Sequence, residues 1–144
     1  MEALVIDTSV IIKWYAVPHE AGFERAKTLL RQHTRGQCHL HVPLLALYEV
    51  GNVLLQFRAH LLGGQPLGRL ADLFALNLSL HELPLAGALS AFELAQAFTV
   101  SFYDACFVVL AQELGVPLIT ADERLARQLT SLPFIHPLTS YRVS

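Results

Sequence analysis

The chain has 144 residues, of which 53% are hydrophobic and 15% charged, with a formal charge of −2; a chain of this length removes roughly 70% of its unfolded surface from water. Its charged fraction lies well below the roughly 25% of an ordinary globular chain, so part of the apolar surplus is expected to meet a partner. The slightly acidic balance argues against a protein held on nucleic acid mainly by phosphate neutralisation, but not against a nuclease whose acidic metal site offsets a local basic rim.

No basic leader with an apolar core and a small-residue cleavage site precedes residues 1–9, and Cys38 and Cys106 are too few for a disulfide framework. An intracellular, cytoplasmic location is expected. No linker, repeat or low-complexity tract divides the chain, which predicts one domain over residues 1–144.

Residues 3–6 are apolar and β-branched and run into Asp7, Thr8 and Ser9, which reads as a buried strand followed by a polar helix start at residues 10–15. Residues 20–33 form an amphipathic helix with Phe23, Ala26, Leu29 and Leu30 inward and Arg25, Lys27 and Arg31 in solvent. Residues 38–42 alternate as a second strand, with His39 and His41 on one side. Two histidines without further spaced ligands make a weak zinc signal. Pro43 suits the first position of the next helix.

That helix, residues 44–62, is strongly apolar and should stop at Gly63 and Gly64. Glu49, Asn52 and Gln56 share one face and leave Leu47, Val50, Leu54 and Phe57 to the core. The same polar residues, with Asp104 and Gln112, break every apolar run before the roughly 18 residues of a membrane span. A carboxylate among so many apolar neighbours needs a partner. A turn over residues 63–66 leads to a helix at 67–78 that carries Asp72 outward. A strand at 80–85 and an apolar helix at 88–98 follow. The alternation of strand and helix predicts a parallel α/β sheet.

Residues 100–124 hold the densest chemistry. Ser101 caps a helix whose first turn contains Asp104, Gly115 and Pro117 end that helix, and a short strand at Leu118 and Ile119 opens into Thr120, Asp122 and Glu123. A last short helix spans residues 123–129, and residues 134–135 form an edge strand. Each acid also has a purely structural reading: Asp7, Asp104 and Asp122 all stand where helix caps stand. Of the four aspartates, however, three fall at ends of core elements, at the sheet edge where α/β proteins bind ligands.

Asp7, Glu49, Asp104 and Asp122 thus converge. Unit charges about 4 Å apart repel by about 4 kcal/mol at an effective dielectric of 20, so such a cluster takes up cations or protons. Oxygen ligands alone suit Mg²⁺ or Mn²⁺ rather than zinc, and such ions commonly serve phosphoryl chemistry.

The motifs Val5-Ile6-Asp7-Thr8-Ser9, Glu49 in a buried helix, Ser101-Phe102-Tyr103-Asp104-Ala105 and Leu118-Ile119-Thr120-Ala121-Asp122, in this order, resemble those of the PIN-domain nucleases and, among them, the VapC-type toxins of toxin–antitoxin pairs. The resemblance covers nearly the whole chain. It implies a PIN-like three-layer sandwich, with a central parallel sheet of four or five strands flanked by helices. It implies an acidic quartet of Asp7, Glu49, Asp104 and Asp122, with hydroxyls at Thr8, Ser9, Ser101 and Thr120. It also implies Mg²⁺-dependent cleavage of RNA and frequent dimers.

On this reading Asp7, Asp104 and Asp122 hold the principal ion, Glu49 completes the site or takes a second one, and an activated water attacks phosphorus. Thr8, Ser9, Ser101 and Thr120 orient water or phosphate, with Arg124 a further phosphate contact. Three other readings compete: a PIN-domain nuclease of RNA processing or DNA repair, an inactive RNA- or protein-binding scaffold, and a phosphotransfer enzyme with Asp7 as nucleophile. The scaffold reading predicts loss of an acid. The phosphotransfer reading wants a second aspartate where Ser9 stands. The expected partners are an RNA substrate, a second copy of the chain and a cognate antitoxin, the last seated in a groove between the helices at residues 44–62 and 20–33.

Overall fold

The computed structural model of the chain describes residues 2–15, 19–56 and 65–142. Within them run β1 (Glu2–Ile6), α1 (Thr8–Lys13), α2 (Phe23–Thr34), β2 (Cys38–Pro43), α3 (Leu45–Gln56) and α4 (Pro66–Ala75). These are followed by β3 (Ser79–His81), α5 (Leu85–Phe98), α6 (Phe102–Leu114), β4 (Leu118–Thr120), α7 (Glu123–Gln128) and β5 (Ile135–Pro137). The strands form one parallel sheet in the order β3-β2-β1-β4-β5, flanked by helices as expected.

The first strand in sequence is the central one. Leu4, Val5 and Ile6 are fully buried, as a parallel strand covered on both faces requires. The sheet grows from β1 through β2 to β3 on one side, then returns to β1 and grows through β4 to β5 on the other. The gap between the carboxyl ends of β1 and β4 is therefore the topological switch point, the usual place for a ligand in an open α/β sheet. Register makes this concrete: Ile6 lies opposite Ile119, and the Asp7 amide donates to the Ile119 carbonyl at 2.9 Å. Asp7 and Thr120 therefore emerge side by side.

Helix α6 is buried from Ala105 through Ala111 without a break, which fits a segment apolar on all sides. Ser101 caps its start by accepting from the Asp104 amide at 3.0 Å. Gly115, at φ 67°, ends it in the left-handed conformation that glycine adopts without strain.

Several boundaries differ from the sequence expectation. Pro43 is the last residue of β2, in register with His81, rather than the first of a helix. The third strand ends at His81, because Pro84 takes an extended conformation and caps α5, so residue 85 belongs to the helix. Gly22, at φ 82°, delays α2 until Phe23. The last strand is shifted to Ile135–Pro137. Leu47, Val50 and Leu54 of α3 are buried as expected. The expected core position Phe57, the end of that helix and the Gly63-Gly64 stop lie outside the described residues. Asp72 is exposed.

Candidate active site

Each acid reaches the switch point from a different element. Asp7 follows β1, Glu49 sits one turn into α3, Asp104 lies in the first turn of α6, and Asp122 follows β4 as the cap of α7. Asp7 is only 6% exposed. Its Oδ2 accepts from Ser9 Oγ at 2.5 Å and from Thr120 Oγ1 at 3.0 Å. Thr120 is fully buried, and its hydroxyl in turn accepts from the Asp122 amide at 3.0 Å. Ser9 Oγ accepts from the Ala121 amide at 2.9 Å, which ties the start of α1 to the end of β4. Thr8 Oγ1 donates to Glu49 Oε1 at 2.8 Å, joining residues 41 apart in sequence.

Burial pushes the Asp7 carboxyl above its ordinary range; the hydroxyls of Ser9 and Thr120 pull it back, and Asp122 adds to the rise. Burial also raises Glu49, opposed by the Thr8 hydroxyl and reinforced by Asp7 and Asp104. Asp104 is raised by burial and then by Asp7, with Ser101 opposing and Asp122 adding. The four acids thus share one electrostatic environment. Among the described residues, no cationic side chain pairs with any of them.

Of the structural roles foreseen, those of Ser101 and Asp122 are present, whereas Asp7 stands at the N-cap of α1 without a side-chain cap bond. Ser101 caps α6, and Asp122 Oδ1 accepts from the Leu125 amide at 3.0 Å to cap α7. Arg124 is exposed on α7. Spacing alone did not reveal that Thr8, Ser9 and Thr120 donate to the acids themselves. The bonds from Thr8 to Glu49 and from Thr120 to Asp7 depend on separate chain segments meeting, so no local pattern announces them, whereas Ser9 donates to Asp7 within one segment.

The donor set fits a hard divalent cation: it is all oxygen, and it includes a buried carboxylate held by the hydroxyls of Ser9 and Thr120 and by the Ser9 backbone. Among the described residues, no three His, Cys, Asp or Glu side chains stand close enough to enclose an ion on their own. The acids act on one another through their field rather than by contact.

A parallel sheet with carboxylates drawn to its switch point from four separate elements defines the class of protein. The chain belongs to the PIN domain family, whose family model matches residues 4–128. Among individual proteins, it is 35% identical over 132 residues to Ribonuclease VapC3 of Pyrobaculum aerophilum, covering 90% of this chain and 96% of that relative.

Solved structures agree on the fold. A toxin-antitoxin complex from Klebsiella pneumoniae superposes with a TM-score of 0.65 at 17% identity, covering 97% of this chain and 99% of the other. Mycobacterium tuberculosis VapC20, described as a Sarcin-Ricin loop cleaving toxin, gives 0.62 at 17% identity over 85% of this chain and 94% of its own.

Proposed function

We propose that the chain is a Mg²⁺- or Mn²⁺-dependent endoribonuclease and the toxin of a toxin–antitoxin pair. The observation that carries this reading is Asp7: a nearly buried carboxylate, raised by burial, facing three further acids with no cation among the described residues to balance them. The likeness to a ribonuclease and to toxins supports the substrate class.

Asp7, Asp104 and Asp122 would hold the ion, and Glu49 would complete the site or hold a second one. When bound, such an ion neutralises charge developing on the phosphodiester and lowers the pKa of water beside it. The residues supply the rest. Ser9 and Thr120 fix Asp7 through two hydroxyl bonds, so its oxygens stand in one orientation. Thr8 does the same for Glu49. Ser101 and Arg124 are assigned to the phosphate backbone. In the hydrolysis, the water oxygen forms a bond to phosphorus, the bond from phosphorus to the leaving oxygen breaks, and the proton lost by water ends on solvent or the leaving group. No serine or cysteine needs to form an intermediate.

Among the described residues, no helix is long and apolar enough to cross a membrane. The exposed apolar side chains instead invite protein partners, a second copy and an antitoxin. Their location differs from the groove expected from sequence. The apolar face of α2 is buried through Phe23, Ala26 and Leu29, whereas Tyr48 and Leu55 of α3, Phe74 of α4 and Leu89 and Phe92 of α5 are exposed. The partner surface is therefore assigned to α3, α4 and α5.

Total cellular RNA incubated with wild type and Asp104→Asn, with and without EDTA, tests the proposal. Discrete fragments should appear only with wild type and divalent metal. Cleavage that persists in EDTA, or that Asp104→Asn retains, would overturn it.

A further inference from the structure

Four of the seven histidines gather where β2, β3 and the end of α2 meet, and the acid cluster uses none of them. His39 and His41 are alternate residues of β2 and share a face. Parallel register sets His41 beside Ser79 and Pro43 beside His81, so His81 is the diagonal neighbour of His41. Ring centroids are 5.9 Å apart from His33 to His39, 4.8 Å from His39 to His41 and 5.1 Å from His41 to His81.

The hydrogen bonds divide the four by availability. His33 is committed at both nitrogens: Nδ1 accepts from the Leu40 amide at 3.3 Å and Nε2 donates to the Leu76 carbonyl at 2.7 Å. His39 Nε2 is bonded to Ser79 Oγ at 2.5 Å. Among the described residues, His41 Nδ1 and His81 Nε2 face only each other, 2.9 Å apart, with one hydrogen between them. Both rings are partly exposed.

We propose that His41 and His81 form a two-imidazole clip for a Cu²⁺ or Ni²⁺ ion at the β2–β3 edge of the sheet. The two nitrogens stand close enough to reach one ion once their rings turn off the shared axis, and imidazole ligands suit Cu²⁺ and Ni²⁺.

Cu²⁺ stands highest in the affinity order of the divalent first-row ions. Binding requires each ring to turn off the shared hydrogen-bond axis, which partial exposure allows, and it moves the hydrogen between them to the other nitrogen of the ring that carries it, a change of tautomer. Burial and the neighbouring imidazoles hold His41 below the ordinary imidazole range, which keeps it in the neutral form a metal needs. Among the described residues, no three donors stand close enough to enclose an ion, so water fills the remaining positions. The ion would staple edge strand β3 to β2.

The test uses untagged chain titrated with CuCl₂, NiCl₂ and MgCl₂ by calorimetry, with electron paramagnetic resonance of the copper form. In the Asp7→Asn background, which removes the acid site, the chain should bind one Cu²⁺ whose spectrum shows nitrogen coupling, and thermal unfolding should shift upward. Adding His41→Ala or His81→Ala should lose roughly tenfold or more in Cu²⁺ affinity, while adding His136→Ala keeps the value of the background. His41→Gln and His81→Gln replace any alanine variant that circular dichroism shows to be unfolded. Nitrogen-coupled copper binding unchanged in both His41 and His81 variants, or no stoichiometric nitrogen-coupled copper site in the Asp7→Asn background, would each overturn the proposal.

Discussion

Thr8 shows what one hydroxyl contributes to the site. It is 8% exposed and supplies a hydrogen bond that opposes the rise of the Glu49 carboxyl. Thr8→Val keeps the shape and removes the donor. Cleavage of a labelled RNA should then slow by roughly tenfold, the scale on which metal sites lose activity when a supporting partner goes; an unchanged initial rate would remove Thr8 from the account. Asp7 makes the opposite point. Because burial raises its carboxyl, the contribution of Asp7 to stability is present at low pH and is lost as pH rises through the raised value. Without divalent metal at neutral pH, Asp7→Asn should therefore melt higher than wild type. A lower melting temperature in a scanning calorimeter would contradict that sign. The four acids themselves were legible in the sequence because each ends or opens an element, or interrupts an apolar helix. The hydroxyls of Thr8 and Thr120 were legible as polar residues but not as donors to particular carboxylates, because Thr8 and Glu49, or Thr120 and Asp7, meet only when the chain folds.

At the scale of elements, periodicity and punctuation identify every strand and helix described, and the errors fall where two signals compete. Pro43 satisfies both a strand end and a helix start, and the strand ladder with β3 decides it. Leu83 and Leu85 continue an alternating pattern past His81, yet Pro84 turns the backbone into α5. Gly115 is unambiguous, since its φ of 67° rather than its surroundings demands glycine: a β-carbon there would meet nothing within 4 Å. Gly115→Ala should destabilise the chain by about 1 kcal/mol through strain alone, measured by urea unfolding; an unchanged midpoint would mean α6 ends differently. Strand β2 carries a second test. Cys38 is 2% exposed, and burial with the nearby Glu2 pushes its thiol up to about 11. A raised thiol value means stability present below the ordinary value and lost as pH rises toward the folded one. Between about pH 9 and 11 the wild type should lose stability more steeply than Cys38→Ala. Equal slopes in pH-dependent denaturation would show that the thiol does not titrate with folding.

At the scale of the whole molecule, the surplus of apolar residues was legible as a demand for partners, but composition could not say which face carries it. Helix α2 spends its apolar face on the core, whereas α5 leaves Leu85, Leu89 and Phe92 in solvent along one stripe. Such a stripe is expected to be covered by a second copy or an antitoxin. Light scattering on the chain alone should give about twice 15.9 kDa, and Phe92→Glu should shift it toward the monomer; a monodisperse wild-type monomer would leave the stripe to the antitoxin only. The fold draws the four acids to one edge, and among the described residues no cation balances them. Calorimetric titration of Mn²⁺ into wild type and Asp7→Asn tests whether they hold a metal. Saturable binding to wild type and a loss of roughly tenfold or more in the variant are expected; equal affinity in the two proteins would contradict a metal site at Asp7.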